Sequence, residues 1–404
     1  MIQWRGMNSA RYLSAAVPLR VASAGTSAAI PVLAIQEVHS VAIGGGLVAA
    51  SLAPSVLAAP LAGVLLDRTR HPTRLMVISG VVTALAFALA AFLGTVPTPI
   101  VAVVLVVAGA VTPFFMGGMS SFVTDAVPGP AERAFGTDAL AYNIGGVAGP
   151  AIAAAAITIG SGRASMLALA AIAAVGTVGS ALLRLSPHPE HPDRPGVLQE
   201  IARGSRFIAT HRPLAAVTAS GTLTQLGQGA LPIAAIGVAI ATTRNEGDAA
   251  WIVTSFAIGA LVGSLAVTVR PIRRFPAPTM MAATAVVTGV LTVAAALVPG
   301  LPAVIVLIGL AGVATGPGVT AMLMLRTRHS PRQLRSQVFT VAAGLRATAA
   351  AVGAGLAGLL PTNAAALLLA LIGVTWIASA ALLAAYPRRA VGADERSPAD
   401  DARG

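Results

Sequence analysis

Twelve stretches of about 20 or more mostly apolar residues recur along the chain, each long enough to cross a ~30 Å hydrocarbon core as a helix. They run 12–36, 40–66, 75–96, 98–125, 136–160 and 163–185, then, after a gap, 212–241, 248–269, 276–298, 302–325, 336–360 and 363–386. The runs are too long for strands and lack two-residue alternation, which argues against a β-barrel. Composition agrees: 10% of the residues are charged, where a soluble protein carries about 25%. The expected fold class is all-α polytopic membrane protein, with twelve transmembrane helices in two pseudo-symmetric six-helix bundles.

The formal net charge of +12 raises nucleic-acid binding as a possibility. The basic groups, all of them arginine, sit at the ends of the apolar runs without a basic-aromatic patch, so no nucleic-acid partner is expected. Cysteine is absent, which excludes disulfides, thiolate metal sites and Cys nucleophiles. The first apolar run is longer than a signal-peptide core and is expected to be retained.

Arginine placement sets the expected orientation. Arg5, Arg11, Arg68, Arg70, Arg74, Arg133, the arginines of 184–212, Arg270, Arg273, Arg274, Arg326, Arg328, Arg332, Arg335 and the tail fall on one side. Arg163 and Arg244 fall on the other. Both termini are therefore expected in the cytoplasm, as an even helix number requires, with the chain multi-pass in the cell membrane. The domain boundaries read 1–185 for the first bundle, 186–211 for a cytoplasmic linker, 212–387 for the second bundle and 388–404 for a disordered tail. Residues 186–196 are punctuated by prolines and cannot be helical. Residues 197–211 place Val197, Leu198, Ile201, Phe207 and Ile208 on one helix face, which suits a helix on the membrane surface tethering the bundles. His188, His191, Glu190 and Asp193 mimic a metal site, but in so proline-broken a segment no metal is expected.

The halves look related. Gly25 and Gly227 lie 202 residues apart, and Gly63 and Arg74 recur as Gly263 and Arg274, 200 apart. Asp67 has no copy, because Val267 occupies the matching position. A parallel repeat of this kind is the organisation of transporters that rock one half against the other.

Between the second and third runs stands G-V-L-L-D-R-T-R-H-P-T-R, Gly63 to Arg74. Gly63 lets a neighbouring helix approach. Asp67 can accept hydrogen bonds from arginines or from the exposed amides of a helix N-terminus, where the dipole favours negative charge. Arg68, Arg70 and Arg74 supply partners and meet lipid phosphates. Asp125, with Glu132 and Arg133 in the loop beyond it, could extend this into a charge network.

This stretch resembles the signature between the second and third helices of the major facilitator superfamily, and the twelve helices, internal termini and long linker resemble it as well. The resemblance implies that Gly63, Asp67, Arg68, Arg74 and Asp125 form a conformational gate latching the outward-facing state. It also bears on N-I-G-G-V-A-G-P-A-I-A, residues 143–153. There Gly145 and Gly149 clear one face for close packing and Pro150 bends the helix. That run resembles the glycine-proline motif of the superfamily's exporters, which implies export, and proton antiport is expected from the same resemblance.

Arg20 and Arg346 lie ~13–15 Å along their helices at 1.5 Å per residue. An arginine at mid-bilayer costs ~2.5–3.5 kcal/mol and normally faces a cavity or a partner. No carboxylate is expected at their depth, since Glu37, Asp125 and Asp138 fall near helix ends. The central cavity then reads as positive or neutral, with Asn143, Gln225 and Gln228 adding hydrogen-bonding groups. The expected substrate is a neutral, zwitterionic or anionic small molecule rather than a cationic drug. No enzyme site is expected: no second acid is spaced to pair with Asp67 and the histidines are scattered through loops. No G-x-x-x-x-G-K loop occurs for ATP, no cofactor is expected, and the partners are the substrate, protons and membrane lipids, with the chain a monomer. The alternative is an importer or facilitator of the same fold.

Overall fold

The computed structural model describes residues 2–127, 129–183, 185, 196–245, 248–270, 274–360 and 364–386. The histidine-bearing stretch 186–195 and the tail from 387 lie outside the described residues. The first set of helices is α1 (Ile2–Val38), α2 (Val41–Arg68), α3 (Pro72–Ala90), α4 (Thr98–Pro113), α5 (Ala131–Ile159) and α6 (Gly162–Ala181). A separate helix, α7 (Val197–Thr210), follows. The second set is α8 (Arg212–Thr243), α9 (Ala249–Val269), α10 (Ala277–Leu297), α11 (Leu301–His329), α12 (Arg335–Gly358) and α13 (Ala365–Leu382). All but α7 belong to the 12 segments that are long and apolar enough to cross a membrane. No strand forms among the described residues beyond one isolated bridge, Leu93 with Val96.

Local chemistry sets the helix ends. The Ser40 hydroxyl accepts the Ile43 amide at the start of α2, and the Ser161 hydroxyl accepts the Ala164 amide at the start of α6, both at 3.2 Å. Such caps satisfy donors that no intrahelical carbonyl can reach. Proline stands in the first turn of α3, α4, α8, α10 and α11, where its missing N–H is no loss. Thr and Ser side chains inside the helices donate back to carbonyls three or four residues earlier, as Thr83 does to Ser79 and Thr292 to Thr288, so they need no partner from lipid.

The chain forms two compact units. Unit 1 takes Met1–Ser205 with Pro331–Gly344, and unit 2 takes Arg206–Ser330 with Leu345–Gly404. In unit 1, α1 packs on α5 and α6, α2 on α4, and α3 on α4 and α6. Unit 2 repeats the pattern: α8 packs on α13, α9 on α11, and α10 on α11 and α13.

Close approach at glycine sharpens the repeat. A Cβ on Gly25 of α1 would meet Leu169 of α6 at 2.6 Å and the Gly149 carbonyl of α5 at 2.9 Å. Unit 2 divides these two contacts. Gly227 packs against Thr375 of α13, and Gly229 packs against Ala350 of α12. Gly263, the sequence copy of Gly63, abuts Val313 of α11 within unit 2; the contact Gly63 makes with α12, described below, is a different one.

The surface-helix expectation for α7 needs revision in its facing. The helix forms over the expected residues, but Leu198 is 81% exposed while Glu200 is only 7% exposed. The carboxylate, not the apolar stripe alone, is turned into unit 1.

Candidate functional site

The end of α2 and the beginning of α12 build the first candidate site, entirely within unit 1. Asp67 is buried. Its Oδ1 accepts the Ser336 amide at 2.9 Å and its Oδ2 accepts the Gln337 amide at 3.0 Å. These are first-turn N–H groups of α12, which lack intrahelical acceptors and carry the positive end of the helix dipole. A single carboxylate thus satisfies two of them and places its charge where the dipole favours it.

Glycines bring the backbones together. A Cβ on Gly63 would collide with the Gln337 backbone, its nitrogen lying at 2.8 Å. The last part of the fourth span departs from α-helix through a π-helical turn, Phe114–Gly118. A Cβ on Gly117 would meet the Phe339 carbonyl oxygen at 2.5 Å and one on Gly118 would meet Leu66 at 2.5 Å. That turn therefore seats the fourth span against both α2 and α12; π-turns of this kind are frequent at functional sites. The Ser121 and Ser336 hydroxyls hydrogen-bond at 3.0 Å beside it.

Of the residues expected in the gate, the structure brings Gly63 and Asp67 to α12 and sends Arg68 elsewhere. Arg68 Nε donates to Glu200 Oε2 of α7 at 2.6 Å and forms an ion pair with the same carboxylate. Arg74 is exposed. Asp125 is exposed on a short helix, Val123–Ala126, where the positive charges of Arg335 and Arg332 act on it. No hydrogen bond or ion pair joins Glu132 or Arg133 to Asp67 among the described residues. Neither Glu200 nor Gln337 is among the residues expected in the gate. Nothing in the α2–α3 signature points to them, although Glu200 is the one acid in α7.

The second cluster lies deeper in unit 1. The expectation that no carboxylate meets Arg20 is corrected: Arg20 Nη2 lies 2.7 Å from Asp138 Oδ1, with Arg20 1% and Asp138 0% exposed. Arg20 Nη1 also donates to the Asp138 carbonyl at 3.0 Å, and Nη2 to Ser120 Oγ at 3.1 Å. Tyr12 donates its hydroxyl to Asp138 Oδ1, and the Tyr142 ring lies 3.5 Å from the guanidinium carbon. The reason for the difference is a helix start. α5 begins at Ala131 rather than near 136, so Asp138 stands about two turns inside the helix, level with Arg20.

Asp138, Tyr142, Gly145 and Gly149 fall at spacings of four, three and four, which puts them on one helix face. A Cβ on Gly145 would meet Arg20 Cβ at 2.7 Å, and one on Gly149 would meet the Val21 carbonyl oxygen at 2.6 Å. The glycine-proline run expected to mark export is thus the surface on which α5 lies against α1, and its close approach lets Asp138 reach Arg20. Pro150 follows inside the same helix.

The remaining pathway residues divide between the two units. Asn143 is half-buried in unit 1, whereas Gln225, Gln228 and Arg346 are half-buried in unit 2. At one end of unit 2, Phe207 stacks on His211 at 5.0 Å, His211 lies 5.8 Å from His329, and His329 hydrogen-bonds to the Tyr386 hydroxyl. Burial raises the Tyr386 phenol above its ordinary pKa, and Arg328 opposes the rise. No cluster of three or more metal-ligating side chains occurs among the described residues.

The sequence features that frame these two clusters also match a known family across more than half of the chain: the family model of the Major Facilitator Superfamily covers residues 13–231. The chain belongs to the Major Facilitator Superfamily. It is a multi-pass membrane transporter, not an enzyme. Over 367 residues it is 28% identical to an uncharacterized MFS-type transporter, y4rN, of Sinorhizobium fredii, covering 88% of each chain. The fold is shared with a bacterial homologue of the iron transporter ferroportin in an outward-facing state, with a TM-score of 0.73, 14% identity and coverage of 94% and 99%. It is shared too with the E. coli fucose:proton symporter, with a TM-score of 0.70, 15% identity and coverage of 93% and 98%. A human organic anion transporter matches with a TM-score of 0.67, 15% identity and coverage of 92% and 99%. At these identities the likeness establishes the superfamily fold, and substrate and direction rest on the chain's own residues.

Proposed function

We propose that this superfamily member is a secondary active exporter of a small neutral, zwitterionic or anionic molecule, working by alternating access with proton antiport. The observation that carries the reading is the seat of Asp67 on the first turn of α12. Here a carboxylate with no counterpart in the second half holds a helix end by two amides, a contact that can form in one conformational state and break in another. Gly63, Asp67, Arg68, Arg74 and Asp125 are assigned to this gate. Gly145, Gly149 and Pro150 support export through the close packing of α5 on α1. For the substrate path we assign Arg346, Asn143, Gln225 and Gln228; Arg20 supports that path from behind, because its charge is taken up by Asp138. The reading places the chain in the cell membrane as a monomer, with both termini in the cytoplasm.

The test is accumulation. A strain lacking this chain is loaded with a panel of labelled organic acids and zwitterions, and cellular content is followed with and without the restored gene. An exporter lowers the content of its substrate, whereas an importer or facilitator raises or equilibrates it. In vesicles, collapse of the pH gradient abolishes export by antiport; unchanged export under that collapse overturns the proton coupling.

A further inference from the structure

α7 does more than tether. Its Glu200 is 7% exposed and takes the Arg68 guanidinium of α2 by the Nε hydrogen bond at 2.6 Å and an ion pair. The same turn of α7 holds α12: Gln337 Nε2 donates to the Ile201 carbonyl at 3.0 Å and to the Glu200 carbonyl at 3.3 Å. Gly204, one turn on, has no side chain where the Gln337 carboxamide lies, and a Cβ there would collide with it. Gln337 is fully buried, and its backbone nitrogen is the one held by Asp67 Oδ2 at 3.0 Å. One residue of α12 is therefore gripped on its main chain by α2 and on its side chain by α7.

We propose that Glu200 is a positioning residue of the gate, clamping α7 across the adjoining ends of α2 and α12 through Arg68 and Gln337, so that α7 must release when Asp67 lets go of α12. This rests on the gate reading of Asp67 and adds the linker helix to it. The physical argument concerns registry. Asp67, the Ser121–Ser336 hydrogen bond and the contacts at Gly63 and Gly117 hold α12 to α2 and the fourth span. The attachment on the Gln337 side chain adds α7 to that set, and the Arg68–Glu200 pair fixes α7 along α2. The charge pair is largely out of water, so its geometry is held more tightly than that of a surface pair.

The absence of native cysteine allows distance measurement between single introduced pairs in the full chain in lipid nanodiscs. Spin labels at Ala202→Cys and His71→Cys report α7 against the α2–α3 turn, and labels at Arg332→Cys and His71→Cys report the approach to α12. All three label positions are at residues exposed in the structure. Glu200→Gln is expected to add a longer-distance population to both pairs, raising the long-to-short ratio about fivefold, the scale of one partly buried ion pair. Arg203→Gln, an exposed neutralisation on the same helix, leaves both distributions in place. The reversal Arg68→Glu with Glu200→Arg restores the short distances, which a merely misfolded variant does not.

Unchanged distances for both pairs in Glu200→Gln overturn the proposal. A change in the α7 pair without a change in the α12 pair also overturns it, leaving α7 as a tether. The gate reading is tested separately by Asp67→Asn on the α12 pair: no change there removes the gate, whatever Glu200 does.

Discussion

The Ser336 backbone nitrogen lies 2.9 Å from Asp67 Oδ1, joining two residues 269 positions apart in the chain. Its neighbour Gln337 offers a second amide to the other oxygen. Converting Asp67 to Asn keeps one acceptor but turns an NH2 group toward an amide N–H and removes the charge facing the dipole. The expected loss is about 1–2 kcal/mol from this contact. Asp67→Asn is expected to leave membrane insertion and abundance near normal while slowing turnover in a vesicle transport assay. A variant that transports at the normal rate would reduce the stretch to a topology signal.

Gly63 tests the same contact by shape rather than charge. A methyl group at Gly63 runs into the Gln337 backbone, which cannot rotate away, whereas Gly46 has nothing within 4 Å of its missing side chain. Gly63→Ala is therefore expected to weaken the α2–α12 contact by about 1–3 kcal/mol, the usual range for overpacking. Gly46→Ala is expected to be silent. The measurement is cysteine accessibility in the first turn of α12, with a probe introduced at Val338, which is fully buried, in the two backgrounds. Equal labelling of both would show that the backbones can separate at no cost.

Much of this arrangement was legible from the chain and some was not, for identifiable reasons. The twelve spans follow from hydrophobic length, which bilayer thickness enforces, so each spanning helix falls where an apolar run does. Asp67 could be read as a helix-end acceptor because its physics is local. Its partners could not: Ser336 and Gln337 contribute backbone amides, and an amide has no sequence signature. Asp138 reads as a helix-end residue because polar residues such as Glu132 and Arg133 in the first turn hide where α5 begins. Its alignment with Tyr142, Gly145 and Gly149 on one face was readable and would have placed it toward α1. The role of Glu200 is not legible, because amphipathicity assigns a helix an apolar face without saying which polar residue finds an ion-pair partner.

The Arg20–Asp138 pair makes a stability prediction. Both groups are essentially excluded from water, so removing one leaves the other as an uncompensated buried charge, at a cost of about 3–5 kcal/mol. Removing both restores electrical neutrality. Arg20→Met and Asp138→Leu are each expected to lower the thermal midpoint and abundance of the detergent-solubilised protein strongly, and the double variant to recover most of that loss. A double variant as unstable as the sum of the singles would mean that the hydrogen bonds to Ser120 and Tyr12, rather than the charge pair, hold α1 to the fourth span and α5.

Gly149 predicts a change confined to unit 1. Its missing side chain faces the Val21 carbonyl, the Gly25 nitrogen and Ala24 at 2.6 to 2.9 Å, while Gly146, three residues earlier, meets nothing within 4 Å. Gly149→Val is expected to push α5 from α1 and to lower the thermal midpoint, with Gly146→Val as the matched control on the same helix. Equal midpoints would remove close packing as the reason for glycine at this position.

Arg20 and Arg346 separate folding from binding, although the sequence presents them as a pair. Arg20 is 1% exposed and bound to Asp138, whereas Arg346 is half-buried in the other unit. An arginine that meets an anionic group on a substrate contributes a charge-assisted hydrogen bond of about 1.5–3 kcal/mol, which corresponds to roughly a tenfold to hundredfold change in apparent affinity. Arg346→Ala is therefore expected to raise the KM for transport by that factor, with Arg346→Lys intermediate. Arg20→Ala should instead lower the amount of folded protein and leave the KM of what remains close to normal. The two constants are read from the same vesicle uptake series once the accumulation screen has supplied a substrate. A KM unchanged in Arg346→Ala would remove the anionic or zwitterionic substrate class, because Arg20 has no charge to spare for it.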